Sequence, residues 1–114
     1  MADCLFCRIA GHEIPAAIVY EDDALVAFKD INPQAPLHVL IVPRRHIASI
    51  NDLSPGDAEL VGSMIRLGAS LAKEAGYDQS GYRTVFNTNR AAGQTVFHIH
   101  LHVLAGRPLA WPPG

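Results

Sequence analysis

The most informative segment of the chain is His98-Ile99-His100-Leu101-His102-Val103-Leu104, in which histidines alternate with apolar residues. Side chains alternate between the two faces of an extended strand, so all three imidazoles should share one face. Protonated imidazoles repel one another and gain little from burial, so three on one face are unusual in an ordinary core strand. The segment therefore predicts a strand over residues 96–104 that is apolar on one face and chemically active on the other.

Four further apolar runs are predicted to complete a sheet around this strand. They span residues 17–20, 24–28, 38–42 and 82–87. The loop between the second and third runs contains two prolines, which cannot sit in a paired central strand. The fold class is therefore expected to be α+β, with a five-stranded, mostly antiparallel sheet, one main helix and a short N-terminal helix at residues 3–10.

The main helix is bounded by residues that typically begin and end helices. Ser54, Pro55 and Asp57 favour a start, and Gly76 favours a left-handed stop. Apolar and small residues recur between them at helical spacing and should face the sheet. They are Val61, Met64, Ile65, Gly68, Ala72 and Ala75.

Length and composition limit the class of protein. The chain has 114 residues, 49% hydrophobic and 18% charged, which suits one domain over residues 1–114 with an irregular tail at 107–114. The formal net charge of −2 gives no electrostatic reason to bind bulk nucleic acid. No apolar run approaches the roughly 20 residues that span a bilayer, and the start lacks a signal-peptide pattern. We therefore expect a cytoplasmic protein without nucleic-acid or membrane partners.

The three imidazoles allow two functional interpretations besides an ordinary structural one. Imidazole is a common metal ligand, and it can also attack, accept a proton or donate one near neutral pH. The segment just upstream favours phosphate chemistry, because glycine and small polar residues there could bring backbone N–H groups close to an anion. These upstream residues are Asn87, Gly93, Gln94 and Thr95.

Four segments resemble one family and follow one another in the same order along the chain. The signature of the histidine triad (HIT) superfamily is similar to residues 98–104. The nucleoside-binding stretch of its Hint branch is similar to Phe28-Lys29-Asp30-Ile31-Asn32-Pro33-Gln34-Ala35-Pro36-Leu37-His38. The same branch has counterparts of Gly93-Gln94-Thr95-Val96-Phe97 and of the ending Trp111-Pro112-Pro113-Gly114. By this resemblance, which covers nearly the whole chain, the protein is identified as a member of the Hint branch with a HIT-like fold.

The resemblance implies a nucleotide-binding hydrolase that cleaves the P–N bond of purine nucleoside phosphoramidates. Adenosine 5′-phosphoramidate and aminoacyl-adenylates are the implied examples of substrates. The reaction would pass through a nucleotidyl-histidine intermediate, release a nucleoside monophosphate and require no cofactor. His100 would be the nucleophile, and His102 would contact the α-phosphate. His38 and His98 would orient and tune the other imidazoles.

The same resemblance implies nucleotide contacts outside the triad. Asp30 would accept hydrogen bonds from the ribose hydroxyls, and Phe28 and Ile31 would flank the purine. From the residues alone, Asp30 could instead cap the following turn. The residues that would hold the phosphate end or the leaving amine are Asn87, Gly93, Gln94 and Thr95. The resemblance further implies a homodimer in which two sheets join edge to edge.

Other activities remain open within and outside this family. Dinucleoside polyphosphate hydrolases share the triad but lack this proline-rich ending. The nucleotidyltransferase branch has glutamine as its third triad residue, whereas this chain has His102. A regulatory nucleotide-binding module with little turnover and a metal-binding protein that uses all the histidines are the two rivals from other classes.

The spacing of Cys4 and Cys7 can place two thiolates on one metal ion. Two reduced, half-buried thiols are an ordinary alternative, and a thioredoxin-like pair is disfavoured because no strand precedes the motif. Some similar histidine triad proteins hold zinc with this pair and two histidines, whose counterparts here are His46 and His98. A closed site of this kind would be structural, so a bound zinc should not be required for catalysis.

Overall fold

The structure is a computed structural model that describes residues 3–114. It has two α-helices and five β-strands, with short 3₁₀ turns between them. The helices are α1 (Leu5–Ala10) and α2 (Ala58–Glu74). The strands are β1 (Ile18–Glu21), β2 (Leu25–Lys29), β3 (Leu37–Pro43), β4 (Tyr82–Val85) and β5 (Leu101–Ala105).

The five strands form one sheet in the order β1-β2-β3-β5-β4, and each neighbouring pair is antiparallel. Strands β3 and β5 lie at its centre, where Leu40 pairs with His102 and Ile41 pairs with Leu101. Strand β3 is almost continuously buried, as its run of β-branched and leucine residues predicts. The predicted α+β architecture, with its five strands, main helix and short N-terminal helix, is confirmed.

The sheet separates two apolar layers because its side chains alternate between faces. On one face, Ile41, Leu101 and Val103 pack with Met64 of α2. On the other face, Leu40 of β3 packs in a second cluster with Phe6 of α1. The triad histidines lie on the α1 face, because His102 pairs with Leu40 while its neighbours Leu101 and Val103 belong to the α2 layer.

Helix α2 follows the predicted signals with one adjustment at its start. Asp57 accepts hydrogen bonds from Ser54 at 2.8 Å and 3.1 Å, and residues 55–57 form a 3₁₀ turn before the α-helix begins at Ala58. Met64, Gly68 and Ala72 are buried against the sheet as predicted. A Cβ on Gly68 would lie 3.1 Å from a methyl group of Val103, so glycine allows the helix to approach closely.

Two residues predicted to face the sheet do not. Ile65 is 47% exposed and Ala75 is exposed beyond the last helical turn, because the buried stripe is narrower than the sequence periodicity suggests. Leu60, Leu67 and Leu71 flank the core instead.

The predicted strand over residues 96–104 is wrong at its N-terminal half. Strand β5 begins only at Leu101, and residues 96–100 have no strand pairing. Ile99 donates its backbone N–H to Ile47 in the β3–α2 connection, so this segment binds a loop rather than a neighbouring strand. Strand β4 likewise ends at Val85 rather than at residue 87. The alternation of side chains continues nevertheless, with Ile99 in the α2 layer and His98 and His100 on the opposite side.

Within residues 3–114, none of the helices combines the length and the hydrophobicity needed for a membrane span. Residues 107–114 contain neither helix nor strand.

Candidate active site and Cys/His cluster

Four histidines meet on the α1 face of the sheet. His38 lies on β3 and His102 on the adjacent β5, whereas His98 and His100 lie in the extended segment just before β5. The ring centroids of His100 and His102 are 5.1 Å apart, and those of His38 and His102 are 5.2 Å apart. The structure therefore brings together all four histidines that were predicted as catalytic.

The hydrogen bonds of His38 and His102 define their tautomers. The backbone N–H of Gln34 donates to His38 Nδ1 at 3.0 Å, so this nitrogen must carry a lone pair. A neutral imidazole then carries its proton on Nε2, which lies 2.9 Å from His102 Nδ1 and donates to it. His102 Nδ1 is thus an acceptor, and the remaining nitrogen of His102, Nε2, presents an N–H. We call this array, Gln34 N–H to His38 to His102, the histidine relay.

His100 has the opposite tautomer. Its Nδ1 lies 2.8 Å from the backbone carbonyl oxygen of His98, which can only accept, so Nδ1 carries the proton. The lone pair of the neutral ring is therefore on Nε2. Phe6 of α1 packs edge-on against the ring, with centroids 4.9 Å apart. The orientation of the His100 ring, and with it the direction of the Nε2 lone pair, is thus fixed by a backbone carbonyl and by an aromatic contact.

Burial keeps these imidazoles neutral near pH 7. Desolvation lowers the pKa of His38, His98 and His100 below the usual value of 6.5 for histidine. For His102, desolvation and the neighbouring His100 and His38 lower the pKa to about 4. Asp30 opposes part of this shift for His38, His100 and His102, because a carboxylate favours the protonated ring.

A cleft of about 380 Å³ opens beside His100 between α1, the end of β2 and residues 95–96. We call it the α1 cleft. Its walls are mostly apolar, and Asp30 is an acidic group at its edge. Phe28 contributes to the wall although it is 4% exposed, and Ile31 lies fully exposed at the rim. The other lining residues are Leu5, Phe6, Ile9, Ile14, Pro15, Ala16, Lys29, Leu40, Thr95 and Val96.

Asp30 caps the following turn, as one interpretation of the sequence predicted, and it also faces the histidines. One oxygen, Oδ1, accepts the backbone N–H of Asn32 at 2.8 Å and so stabilises the following turn. The other oxygen, Oδ2, lies 3.5 Å from His38 Nε2. The carboxylate therefore faces the histidine relay and the α1 cleft while it shapes the loop.

The segment upstream of the triad uses its own amides in hydrogen bonds. The backbone N–H of Gly93 donates to Arg90 O and that of Gln94 donates to Asn89 O. The buried Gln94 side chain is also fully used, since its amide donates to Ala48 O and Val96 O and its oxygen accepts from Asn89 N. These hydrogen bonds hold the loop together, and the nucleotide contacts expected of Gly93 and Gln94 stay a prediction.

Thr95 and Asn87 lie where a contact with the site is feasible. Thr95 is exposed and lines the α1 cleft. Asn87 is half-buried and lies two residues beyond Val85, which pairs with His102. It does not line the α1 cleft.

A second constellation, the Cys/His cluster, consists of Cys4, Cys7, His46 and His98. Their four ligating atoms all lie within 4.8 Å of one another. His98 Nδ1 is 3.4 Å from Cys4 Sγ and 3.5 Å from Cys7 Sγ, and His46 Nδ1 is 3.4 Å from Cys7 Sγ. The predicted ligand set therefore converges, although its members come from the N-terminal turn, the loop after β3 and the triad segment.

The donor chemistry of this cluster fits a zinc ion. His98 Nε2 donates to Pro43 O at 2.7 Å, so its Nδ1 lone pair points towards the thiols. Zinc–sulfur and zinc–nitrogen bonds of about 2.3 and 2.05 Å place tetrahedral ligands roughly 3.6 Å apart, close to the spacing found here. Without an ion, burial and the hydrogen bond with Cys4 raise the pKa of Cys7 to about 11, and a bound cation would reverse this preference.

Asp30, His38 and His102 also lie within ligand distance of one another. The proton on His38 Nε2 is directed at His102 Nδ1, so the two nitrogens are joined by a hydrogen bond and do not offer two free lone pairs to a metal ion.

A larger cavity of about 570 Å³ borders Cys4, His46 and Phe97 but not His100. The α1 cleft is therefore the one that adjoins His100.

Comparison with known proteins places these features in a family. A family model described as the scavenger mRNA decapping enzyme C-terminal binding domain matches residues 3–108. A purine nucleoside phosphoramidase from Escherichia coli is 48% identical over 94% of this chain and 90% of its own length. A HIT family hydrolase from Legionella pneumophila superposes with a TM-score of 0.97, 53% identity and coverage of 98% of this chain and 100% of its own.

This chain belongs to the histidine triad superfamily, in its Hint branch. The same comparisons support a hydrolase activity. A zinc-bound histidine triad family protein from Mycobacterium smegmatis is also similar, with a TM-score of 0.81 and 38% identity over 93% of this chain and 76% of its own.

Sequence reasoning missed two parts of the site in this Hint-branch protein. The first is the apolar wall from α1, although Phe6 and Ile9 are three residues apart and so share one helix face. The second is the backbone amide of Gln34, which sets the tautomer of His38. A backbone group carries no signal in residue type, so only the folded loop reveals it.

The low pKa values of His38 and His102 predict that the protein loses stability in acid. Both values are lower in the folded state than the unfolded value near 6.5, so their contribution is complete above about pH 6.5 and declines below it. Urea unfolding at about pH 7, 6 and 5 should show a falling free energy of unfolding, with up to ~1.4 kcal/mol per pH unit from each group. His102→Gln should flatten the decline, whereas His12→Gln, which replaces an exposed imidazole, should not. Equal pH dependence in the parent and in His102→Gln would contradict this prediction.

Proposed function

We propose that this protein hydrolyses the P–N bond of purine nucleoside phosphoramidates through a nucleotidyl-histidine intermediate. The observation that carries the proposal is the lone pair on His100 Nε2, fixed by the Nδ1–H bond to His98 O and located beside the α1 cleft. The similar enzyme from Escherichia coli is named a purine nucleoside phosphoramidase. The activity of that relative supports the proposed substrate class, and the geometry of His100 supports its role as nucleophile.

The proposed reaction has two displacements at one phosphorus atom. In the first, His100 Nε2 forms a bond to phosphorus while the P–N bond breaks, and the departing nitrogen takes up a proton to leave as the amine. In the second, water attacks the same phosphorus and gives up a proton to solvent, while the bond to His100 breaks with its electron pair returning to the ring, and the nucleoside monophosphate leaves. Each displacement inverts the phosphorus centre, so the overall reaction should retain its configuration. A neutral imidazole needs no prior deprotonation, which agrees with the lowered pKa of His100.

His102 is proposed to stabilise the phosphoryl oxygens. The histidine relay leaves its Nε2–H as a donor, and an N–H donor at this place would oppose the charge that develops on phosphorus. A bound phosphate also favours the protonated ring, so it would raise the pKa of His102 from its low value. The departing amine needs no further proton when the phosphoramidate nitrogen is already protonated before the P–N bond breaks, so His102 can keep its Nε2–H as a donor throughout.

The α1 cleft is proposed to bind the nucleoside. Its apolar walls suit a purine between Phe28 and Ile31, and Asp30 at the edge suits ribose hydroxyls because a carboxylate accepts hydrogen bonds. Thr95, which lines the cleft, is proposed to contact the phosphate end. Asn87, two residues beyond the partner of His102, is proposed to contact the leaving amine. Gln94 and Gly93 are also assigned a supporting role in the loop.

We further propose that the Cys/His cluster binds a structural zinc ion through Cys4, Cys7, His46 and His98. Zinc would supply a cross-link that ties the N-terminal turn to the loop after β3 and to the triad segment. Its four positions are filled by protein ligands, which leaves none for water, so the proposed catalysis does not use the ion.

A homodimer is proposed from one of the two free edges of the sheet, the one formed by β4. Strand β4 ends the strand order, and an unpaired edge is a template for another strand. Tyr82 on this strand, Ile65 on α2 and Trp111 in the tail are exposed apolar side chains, with Trp111 83% exposed. A second copy that pairs along β4 would cover such surface and place its tail near the site. The cytoplasmic location stays a prediction.

Replacing His100 with alanine should abolish the covalent route. We expect turnover of adenosine 5′-phosphoramidate to fall by at least about a thousandfold, as for the loss of other nucleophiles, with a much smaller change in nucleoside monophosphate affinity. His12→Ala, which removes an exposed imidazole, should retain the parent rate. A parent that binds the monophosphate but gives no product would identify a binding module, and a near-parental rate in His100→Ala would refute the nucleophile.

Replacing Cys4 and Cys7 with serine should separate metal from catalysis. The double variant should lose zinc by elemental analysis and melt roughly 5 °C or more below the parent, because a ligand that binds only the folded state stabilises it. It should still turn over substrate below its melting temperature. Parent protein with clearly substoichiometric zinc, even after zinc addition, would refute the site. Complete inactivity of folded double variant would show that the metal participates in the reaction.

Deleting residues 108–114 should change leaving-group selection. The tail is proposed to lie on the leaving-group side of the site, so preference among amines should shift more than the affinity for a nucleoside monophosphate. The deletion keeps Arg107 and its bond to Gln34. Light scattering on the parent tests the dimer. A monomeric parent, or unchanged amine preference after truncation, would count against this arrangement.

A further inference from the structure

The tautomer of His38 depends on the shape of an exposed loop. Residues 30–36, between β2 and β3, contain no helix or strand, and yet they surround the His38 ring. Asp30 donates its backbone N–H to His38 O at 3.0 Å, and Gln34 donates its own to His38 Nδ1 at 3.0 Å. The loop is stiffened internally by bonds from Asn32 N to Asp30 Oδ1 and from the Gln34 side chain to Asn32 O.

Arg107 clamps the end of this loop from a distant part of the chain. Its Nε donates to Gln34 O at 2.8 Å across 73 residues of sequence, and its Nη1 donates to Pro108 O at 2.9 Å. Gly106 makes this approach feasible. It has a φ of +100°, and a Cβ there would lie 2.7 Å from Pro36 Cβ, so a side chain would push the strand end away from the loop.

We propose that Arg107 is a positioning residue that holds Gln34 so that its N–H selects the active tautomer of the histidine relay. Arg107 acts on the carbonyl of Gln34, and the N–H of the same residue acts on His38. Because Arg107 holds the carbonyl of Gln34, the backbone of Gln34 has less freedom to rotate its N–H away from His38. The role of the relay in turnover rests on the function proposed above, whereas the tautomers themselves do not.

The alternative tautomer shows why this selection matters. If His38 carried its proton on Nδ1, that N–H would face the Gln34 N–H, and the lone pair on Nε2 would face His102 Nδ1 at 2.9 Å. His102 would then have to move its own proton to Nδ1, which removes the Nε2–H donor from the proposed phosphate site. A loosened loop should therefore weaken transition-state stabilisation more than nucleotide binding.

The test compares two arginines that both bind the tail. Arg83 donates to Leu109 O and Ala110 O but does not touch Gln34, so Arg83→Met controls for a loosened tail. Arg107→Met removes the clamp while keeping a long side chain, and Arg107→Lys retains a cationic donor. Ring nitrogens that carry a proton are distinguished from those that do not by two-bond ¹H–¹⁵N spectra of histidine-labelled protein at neutral pH.

The parent should show Nε2-protonated rings for both His38 and His102. Arg107→Met should show a second His38 tautomer, Arg107→Lys should restore the parental pattern, and Arg83→Met should keep it. On adenosine 5′-phosphoramidate, kcat of Arg107→Met should fall roughly three- to tenfold, the rate equivalent of one lost hydrogen bond, with KM changed less than about twofold.

Several outcomes would overturn the inference. One is a parental ring spectrum in folded Arg107→Met, and another is an equal change in Arg83→Met. A changed spectrum with undiminished kcat would also overturn it. If the parent protein does not turn over phosphoramidates at all, the proposed function fails, and the spectra alone still decide whether Arg107 sets the tautomer.

Discussion

The rest of the site depends on the contacts made by the fully buried imidazole of His98. A polar ring without solvent contact must have partners for both nitrogens, and His98 finds them in different parts of the fold. Nε2 donates to Pro43 at the end of β3, and Nδ1 faces the thiols of Cys4 and Cys7. Its backbone carbonyl in turn fixes the tautomer of His100. One residue thus joins the N-terminal turn, the central sheet and His100.

Burial disfavours the charged side-chain forms in both constellations of this protein, and the two would be compensated by ions of opposite charge. In the histidine array, desolvation favours neutral rings, so the lone pair of His100 is available near neutral pH. In the Cys/His cluster, desolvation disfavours thiolates, and it raises the pKa of Cys7. A cation is the natural compensation there, whereas an anionic phosphate is the natural compensation beside His102. Each site is therefore matched to the charge that would complete it.

Alternation in residues 98–104 and the apolar runs were sufficient to predict the sheet, its main helix and the shared face of the histidines. The family motifs led to the four cluster ligands, which the fold brings together from three segments. The extent of β5 was wrong, because a loop carbonyl at Ile47 rather than a strand binds Ile99. Composition also does not reveal that the loop around Gly93 and Gln94 uses its own amides in hydrogen bonds. Contacts such as Gln34 with His38 depend on loop conformation and were out of reach.

The four histidines differ in how firmly the fold positions them. His98 and His100 are held by the carbonyls of Pro43 and His98, groups that belong to the buried frame and cannot move without disturbing β3. His38 and His102 obtain their tautomers from a backbone amide in an exposed loop. The orientation of the His100 ring is thereby tied to the stability of the domain, because the bonds that orient it also satisfy buried polar groups. The orientation of the His102 ring is tied to surface contacts of modest strength, and such contacts can change while the core remains intact. Sequence changes at the surface of this fold can therefore alter the tautomer of His102 without altering that of His100.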